Sequence, residues 1–272
     1  MTQSSPSANI TAGAHALATA EAERRPTDPL TERFPDFTLP DAYRVQQANI
    51  EARVARGARI IGHKIGLTAR AMQELFGVNE PDYGHLLDTM VHDSAQPLDL
   101  SEMIDPQVEV EPGFVLSRAL SGPDLTVDDV LDATEYVCVC LEIIDSRIVD
   151  WRIKVQDTVA DNGSSARVIV GPEKVAPRAF SLQDLRTTLE LDGVVVERGR
   201  TSAILGHPAN GVAWLAKALS AFDMKLEAGA LVLPGTCTRS RRLAGFKEAT
   251  GRIEGLGSIR ITTCNQPFVR GL

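Results

Sequence analysis

PQVEVEPGFVL, residues 106–116, sets two carboxylates two positions apart inside an apolar run. Side chains alternate across a strand, so Glu109 and Glu111 share one face if 107–111 is extended, and Val108 and Val110 take the other. Two neighbouring carboxylates repel, and burying either without a partner is costly. A solvated strand face would remove the conflict. The apolar flanks on both sides argue for burial, and a third acid, Glu142, lies in the equally apolar CVCLEIID. Carboxylates embedded in apolar strands call for a cation. Three oxygen donors suit a hard divalent ion such as Mg²⁺ or Mn²⁺, and the absence of histidine among them makes zinc less natural.

Outward from this strand, from Ala58 on, short β-branched runs alternate with turn signals: ARIIGHKIGL, EYVCVCLEIID, ARVIVG, TTLELDGVVVERG, ALVLPGTC and TGRIEGLGSIRITT. Asp192-Gly193 between two alternating runs is a hairpin signal. Helical patterns interrupt at TVDDVLDATEY and at HPANGVAWLAKALSAF, where Pro208 sits near the first turn. The order is not a regular β-α-β repeat, which excludes a doubly wound sheet and leaves a mostly-β chain with a few helices. Before Ala58 the texture differs. Residues 1–10 have a disordered composition. AGAHALATAEAERR and TLPDAYRVQQANIEARVARG read as two helices, the second starting near Asp41 and stopping at Gly57. The expected division is an N-terminal helical cap or interface region, 1–57, and a catalytic region, 58–272.

The balance of 36 acidic against 28 basic residues leaves a net charge of −8, which argues against a nucleic-acid footprint. No apolar run approaches the roughly 20 residues of a membrane span, and no signal-peptide pattern opens the chain. The four cysteines form no C-x-x-C pair, in keeping with a reducing cytoplasm. Cys138 and Cys140 alternate on one strand and read as core packing.

Several motifs in order, GHKIGLTARAMQ, EPDYGHLLD, PQVEVE, DVLDATEYV, LEIIDSRI, DTVADNGSSARVIVG, LGHPANGVAWLAKAL and GLGSI, resemble the hydratase and decarboxylase branch of the fumarylacetoacetate hydrolase superfamily. The resemblance spans roughly Phe37 to Thr262. It implies an α+β, mostly-β fold with a β-roll core and a small N-terminal helical region, and a homo-oligomer, in some cases associated with a pathway partner enzyme. It implies a divalent metal on Glu109, Glu111 and Glu142. The implied reaction is metal-dependent addition of water to a 2-oxo- or 2-hydroxy-dienoate of the 2-oxopent-4-enoate or 2-oxohept-3-enedioate type, in meta-cleavage catabolism of aromatic compounds. A 4-oxalocrotonate-type decarboxylase and a non-catalytic partner subunit are the alternatives.

Carried onto this chain, the resemblance makes Lys64 an active-site lysine, where a positive charge would meet a substrate carboxylate or developing oxyanion, and where burial could tune it as an acid or base. Asp82 becomes a proton-transfer candidate, and Tyr83 and Ser165 become substrate contacts. Asp161 and Asn162 are outer hydrogen-bonders. LPGTC nominates Gly235 and Thr236 for the substrate carboxylate, and CTRS nominates Arg239 for a distal carboxylate. His207 reads as a capping histidine. Pro112, Pro234 and the RLAGFKEATGRIEGLGSI segment, which lacks the usual Gly-Asp turn, depart from the pattern and bear on substrate preference.

Overall fold

The computed structural model describes residues 6–265. The alanine-rich start forms α1 (Pro6–Glu23), followed by a short α2 (Leu30–Arg33) and by α3 (Leu39–Ala55). Disorder was expected for residues 1–10, but the helix has begun at Pro6; residues 1–5 lie outside the described residues. The reason is packing: α1 buries Ala14 and Leu17 against Leu30 and Val45, which composition alone does not reveal. Thr38 caps α3, its hydroxyl accepting from the Asp41 amide while the Asp41 carboxylate accepts from the Thr38 amide.

Strands and short helices follow: β1 (Ile60–Gly66), α4 (Arg70–Phe76), β2 (Asp82–Leu87), β3 (Leu98–Asp99), β4 (Gln107–Leu116), α5 (Val127–Ala133), β5 (Thr134–Ile144), α6 (Val155–Ala160) and β6 (Ser165–Val170). The chain continues through β7 (Arg186–Leu191), β8 (Val194–Arg200), α7 (Pro208–Ser220), β9 (Leu231–Leu233), β10 (Arg241–Arg242), β11 (Glu248–Ile253) and β12 (Gly257–Cys264). Asp192 and Gly193 take φ of 48° and 77° and close the β7–β8 hairpin as the sequence expects. His207 caps α7 by accepting from the Ala209 amide.

Two sheets form. One runs β2-β1-β9-β4-β5-β6, with β10 added beside β4; the other runs β3-β12-β11-β7-β8. The first sheet curls until β2 comes against β6. Its outer face carries Val108, Val110, Phe114, Leu141 and Ile143 into the core shared with the second sheet, including Leu189 and Ile261. Its inner face carries Leu86, Cys138, Cys140, Val168, Leu231 and Leu233, all buried. The two cysteines are free, with sulfurs 3.8 Å apart, and serve as the expected packing.

This curl makes both faces of β4 and β5 interior, so alternation sorts the side chains between two buried compartments. Pro112 sits where the far-side neighbour of β4 changes from β10, which pairs with Gln107 and Val108, to β9, which pairs with Phe114 and Val115. On that side no strand pairs with it, and a central strand tolerates a proline there. The N-terminal helices pack on the same body, because Leu17, Leu30 and Val45 share a cluster with Ile148, Val159 and Ala160.

Phe114 is fully buried between the sheets. Phe114→Ala is expected to lower unfolding free energy by about 3–5 kcal/mol, read from the urea midpoint.

Candidate metal centre and active-site cavity

The pairing of β4 with β5 sets Glu109 directly opposite Glu142 and Glu111 opposite Cys140. The three carboxylates therefore meet on the inner face, and one oxygen from each lies within 4.8 Å of the others. Glu142 is fully buried and Glu111 nearly so. Both oxygens of Glu142 lack a hydrogen-bond partner. Gly235 donates its amide to Glu111 Oε2 at 2.8 Å. Burial pushes all three carboxyls up, with their mutual repulsion adding for Glu109 and Glu111; Glu109 reaches about 7.

Lys64 of β1 enters the same space. Its Nζ donates to the Gly163 carbonyl at 3.0 Å and lies 3.4 Å from Glu142 Oε2. Burial pulls the ammonium down, but Glu142, Glu109, Asp82 and Glu111 together outweigh it and hold the group well above its ordinary value. Lys64 is thus a fixed cation in the metal-free protein, where the sequence had left an acid–base role open. Glu142 stays pushed up despite this partner, because one ammonium must serve several carboxylates. Asp82, on β2 beside Gly66, is buried with Oδ1 unpartnered, and burial raises it in spite of Lys64.

Such a donor set fits a hard dication. It offers buried, all-oxygen, anionic ligands with unclaimed lone pairs and too little positive charge to balance them.

The loop that presents Gly163 to Lys64 is left-handed at three successive residues: Asn162, Gly163 and Ser164 have φ of 58°, 60° and 55°. Such a run is costly for Asn and Ser and persists only under external restraint. Asn162 supplies one restraint by accepting from the His85 amide and donating to the His85 carbonyl. Asp161 supplies another through a buried ion pair with Arg147, whose guanidinium also donates to the carbonyls of Asp145, Asp161 and Ser165. The sequence named Asp161 and Asn162; the Asn-Gly pair in DNGSS was the available signal for the turn itself.

A cavity of about 780 Å³ opens over this floor. Lys64, Asp82, Glu109 and Thr236 line it, with Thr68, Gln107, Gly163, Ser164 and Ser240 among the residues the sequence did not single out. Four expected substrate contacts are not among its walls. Tyr83 alternates away from Asp82 and stacks on Tyr43 at 4.9 Å. Ser165 is buried beside Glu142 and beneath the cavity. The Gly235 amide is spent on Glu111. Its φ of 124° and the closeness of Thr68, which an added Cβ would strike, leave only glycine there. Arg239 is exposed, off the cavity. Strand alternation turns Tyr83 away from the cavity, and the Glu111 carboxylate claims the Gly235 amide; neither was readable from spacing.

The model of the fumarylacetoacetate (FAA) hydrolase C-terminal family matches residues 83–263. The chain belongs to the fumarylacetoacetate hydrolase family. It is 44% identical over 206 residues to a 2-hydroxypent-2,4-dienoate hydratase of Pseudomonas putida, covering 75% of this chain and 93% of that one. It is 40% identical to a 2-oxo-hept-4-ene-1,7-dioate hydratase of Escherichia coli, covering 83% and 87%. Among solved structures it resembles the 4-oxalocrotonate decarboxylase of Pseudomonas putida G7 complexed with magnesium and adipate, at a TM-score of 0.91 and 34% identity over 97% of this chain and 100% of that one.

Behind the site, on the other face of β1 and β2, the rings of His63 and His85 lie 4.9 Å apart beside Tyr83, each with a buried Nδ1 that has no hydrogen bond. Burial holds His63 down to about 3 and His85 to about 4. Both are neutral in the folded chain, so as pH falls below about 6.5 the unfolded chain takes up protons first. Their contribution is full above that pH and is lost toward pH 4. The slope of urea-measured stability between pH 6.5 and 4 should become shallower in His63→Gln; an unchanged slope would remove the histidine pair as its source.

Proposed function

We propose that this chain is a lyase: a divalent-metal-dependent hydratase that adds water to a 2-hydroxy-2,4-dienoate, by way of its 2-oxo-3-enoate tautomer, in meta-cleavage catabolism of aromatic compounds. The convergence of Glu109, Glu111 and Glu142 beside a buried ammonium carries the reading. The hydratase relatives at 40–44% identity support the reaction, and the magnesium complex of the decarboxylase supports a hard divalent ion.

In this proposal the three glutamates hold Mg²⁺ or Mn²⁺. Such an ion, when bound, supplies Lewis-acid stabilisation of negative charge on the substrate's 2-oxygen. Lys64 binds the 1-carboxylate or steadies the same developing charge, in a space closed enough to water for one ammonium to count heavily. Asp82, pushed up by burial and free at Oδ1, carries the protons. It moves the proton in the ketonisation, and it accepts a proton from water as the water oxygen bonds to C4 and then delivers that proton to C3, which yields a 4-hydroxy-2-oxo acid. Thr236 lines the cavity beside them. Gly235 and Ser165 act through Glu111 and Glu142.

Loss of a distal carboxylate as CO₂ is the second reading, favoured by the close structural match to the decarboxylase. The same electron sink serves both reactions. A non-catalytic partner subunit fits less well, since Glu109, Glu111, Glu142, Lys64 and Asp82 converge around one space beside a cavity. The division at 57/58, a homo-oligomer, association with a pathway partner enzyme and a cytoplasmic location belong to this proposal. Among the described residues no helix is long and apolar enough to cross a membrane.

The test is incubation with Mg²⁺ and C5, C6 and C7 2-hydroxy-dienoates, and separately with a C6 2-oxo-3-enedioate, with products identified. Loss of dienol absorbance without CO₂ release is expected; CO₂ release would replace the hydratase by the decarboxylase. Glu109→Gln should weaken Mg²⁺ binding more than about 100-fold by calorimetry and abolish turnover. Lys64→Met should lower kcat by roughly 10²–10³-fold with Mg²⁺ binding retained. Turnover surviving in Glu109→Gln would refute the metal site.

A further inference from the structure

The catalytic floor comes from β1, β2, β4 and β5, and two other segments give the cavity an apolar side. One is α4 and the turn after it, with Met72, Phe76 and Val78; the other is residues 151–155, with Trp151, Ile153 and Val155. All six side chains are apolar or aromatic. Met72 is 42% exposed.

Trp151 is fixed there at a cost. Asp150 and Trp151 both have φ of 54°, a left-handed conformation that is a true outlier for a bulky residue. The Trp151 indole N–H donates to Asp105 Oδ2 at 2.9 Å, and Arg242 pairs with the same oxygen at 2.9 Å. The polar edge of the ring is thus consumed.

The charges on the lining are few. Lys64, Asp82 and Glu109 belong to the floor, and Lys154 is exposed to solvent. Among the described residues no arginine lines the cavity. The remaining polar lining groups are neutral, among them Gln107, Gln156, Thr158 and Ser240, so a carboxylate placed against the apolar side would have no buried counter-ion, which is costly. The volume, about 780 Å³, lies in the range that accepts drug-sized ligands, so a five-carbon acid leaves much of the apolar wall uncovered.

We propose that this wall is a subsite for an uncharged aliphatic or aromatic tail, so that the chain selects monoanionic 2-oxo acids longer than five carbons and rejects dianions. The inference rests on the proposed reading of the floor as the binding site of a 2-oxo acid. Each methylene of tail buried there should tighten binding roughly fourfold.

Calorimetric titration of the Mg²⁺-loaded protein with unreactive saturated acids tests this without turnover. The probes are 2-oxopentanoate, 2-oxoheptanoate, 2-oxooctanoate and 2-oxoheptanedioate. The octanoate is expected to bind more than tenfold tighter than the pentanoate. The heptanedioate should bind ten- to a hundredfold weaker than the heptanoate. In Phe76→Arg the last two should exchange rank. Should that variant not fold, the wild-type ranking decides alone. A heptanedioate that binds wild-type protein as tightly as the heptanoate overturns the subsite. Dianion preference together with dienoate hydration removes the subsite and leaves the reaction. Tail-dependent binding of monoanions without turnover of any dienoate removes the reaction and leaves the subsite. No binding by any of the four acids overturns both.

Discussion

Four carboxyl groups, from Glu109, Glu111, Glu142 and Asp82, share a space with a single ammonium, and water is largely excluded from it. That imbalance is the constraint on which the rest of the structure turns. Burial alone would drive these acids to their neutral forms, and the direction of every shift is upward. A dication removes two of the uncompensated charges at once and gives partners to the oxygens of Glu142, which make no hydrogen bond and have only the Lys64 ammonium nearby at 3.4 Å. The apolar outer face of β4 and β5, from Val108 to Phe114 and from Val137 to Ile143, supplies the burial that holds the acids in register.

The same economy explains the surroundings. Lys64 is useful only if its ammonium stays between Glu142 and the cavity, and the carbonyl that steers it belongs to a residue in a left-handed loop. That loop is restrained from behind by the Arg147–Asp161 pair and from β2 by Asn162. The helix before it, α6, is tied to the N-terminal helices: Asp157 accepts from the amide and hydroxyl of Thr31 and from the amide of Lys154. The helical region is therefore not peripheral to the chemistry. It braces the segment that fixes the position of the one cation in the site.

Much of this was legible in the sequence, and the boundary of legibility has a physical cause. Period-two alternation placed Glu109 and Glu111 on one face, and an acid inside CVCLEIID could hardly be anything but paired. The Asp-Gly turn, the Pro208 helix start and the cysteine packing follow from local rules that tertiary structure did not override. Short helices escaped. α4 and α6, of seven and six residues, open on Ala69 and Lys154 without the side-chain cap that Thr126 gives the equally short α5. The roles of Tyr83, Ser165 and Gly235 escaped for another reason. A motif names the residues near a site, but the facing of a side chain depends on strand register, and what an amide donates to depends on a neighbour over a hundred residues away, as Gly235 and Glu111 illustrate. Arg239 failed because a short motif carries no information about exposure.

The separation of floor from wall bears on how one family can serve different substrates. Glu109, Glu111, Glu142, Lys64 and Asp82 sit on strands whose faces are fixed by two cores. The wall, by contrast, is carried by a short helix between β1 and β2 and by a short stretch before α6, neither of which holds a metal ligand. Substitutions there alter the distal environment without touching the electron sink. On this view a hydratase for an apolar tail and an enzyme for a dicarboxylate can share the same three glutamates. The substrate each accepts is then decided by whether its far end meets a counter-ion or a surface such as that of Trp151 and Phe76, which offers none.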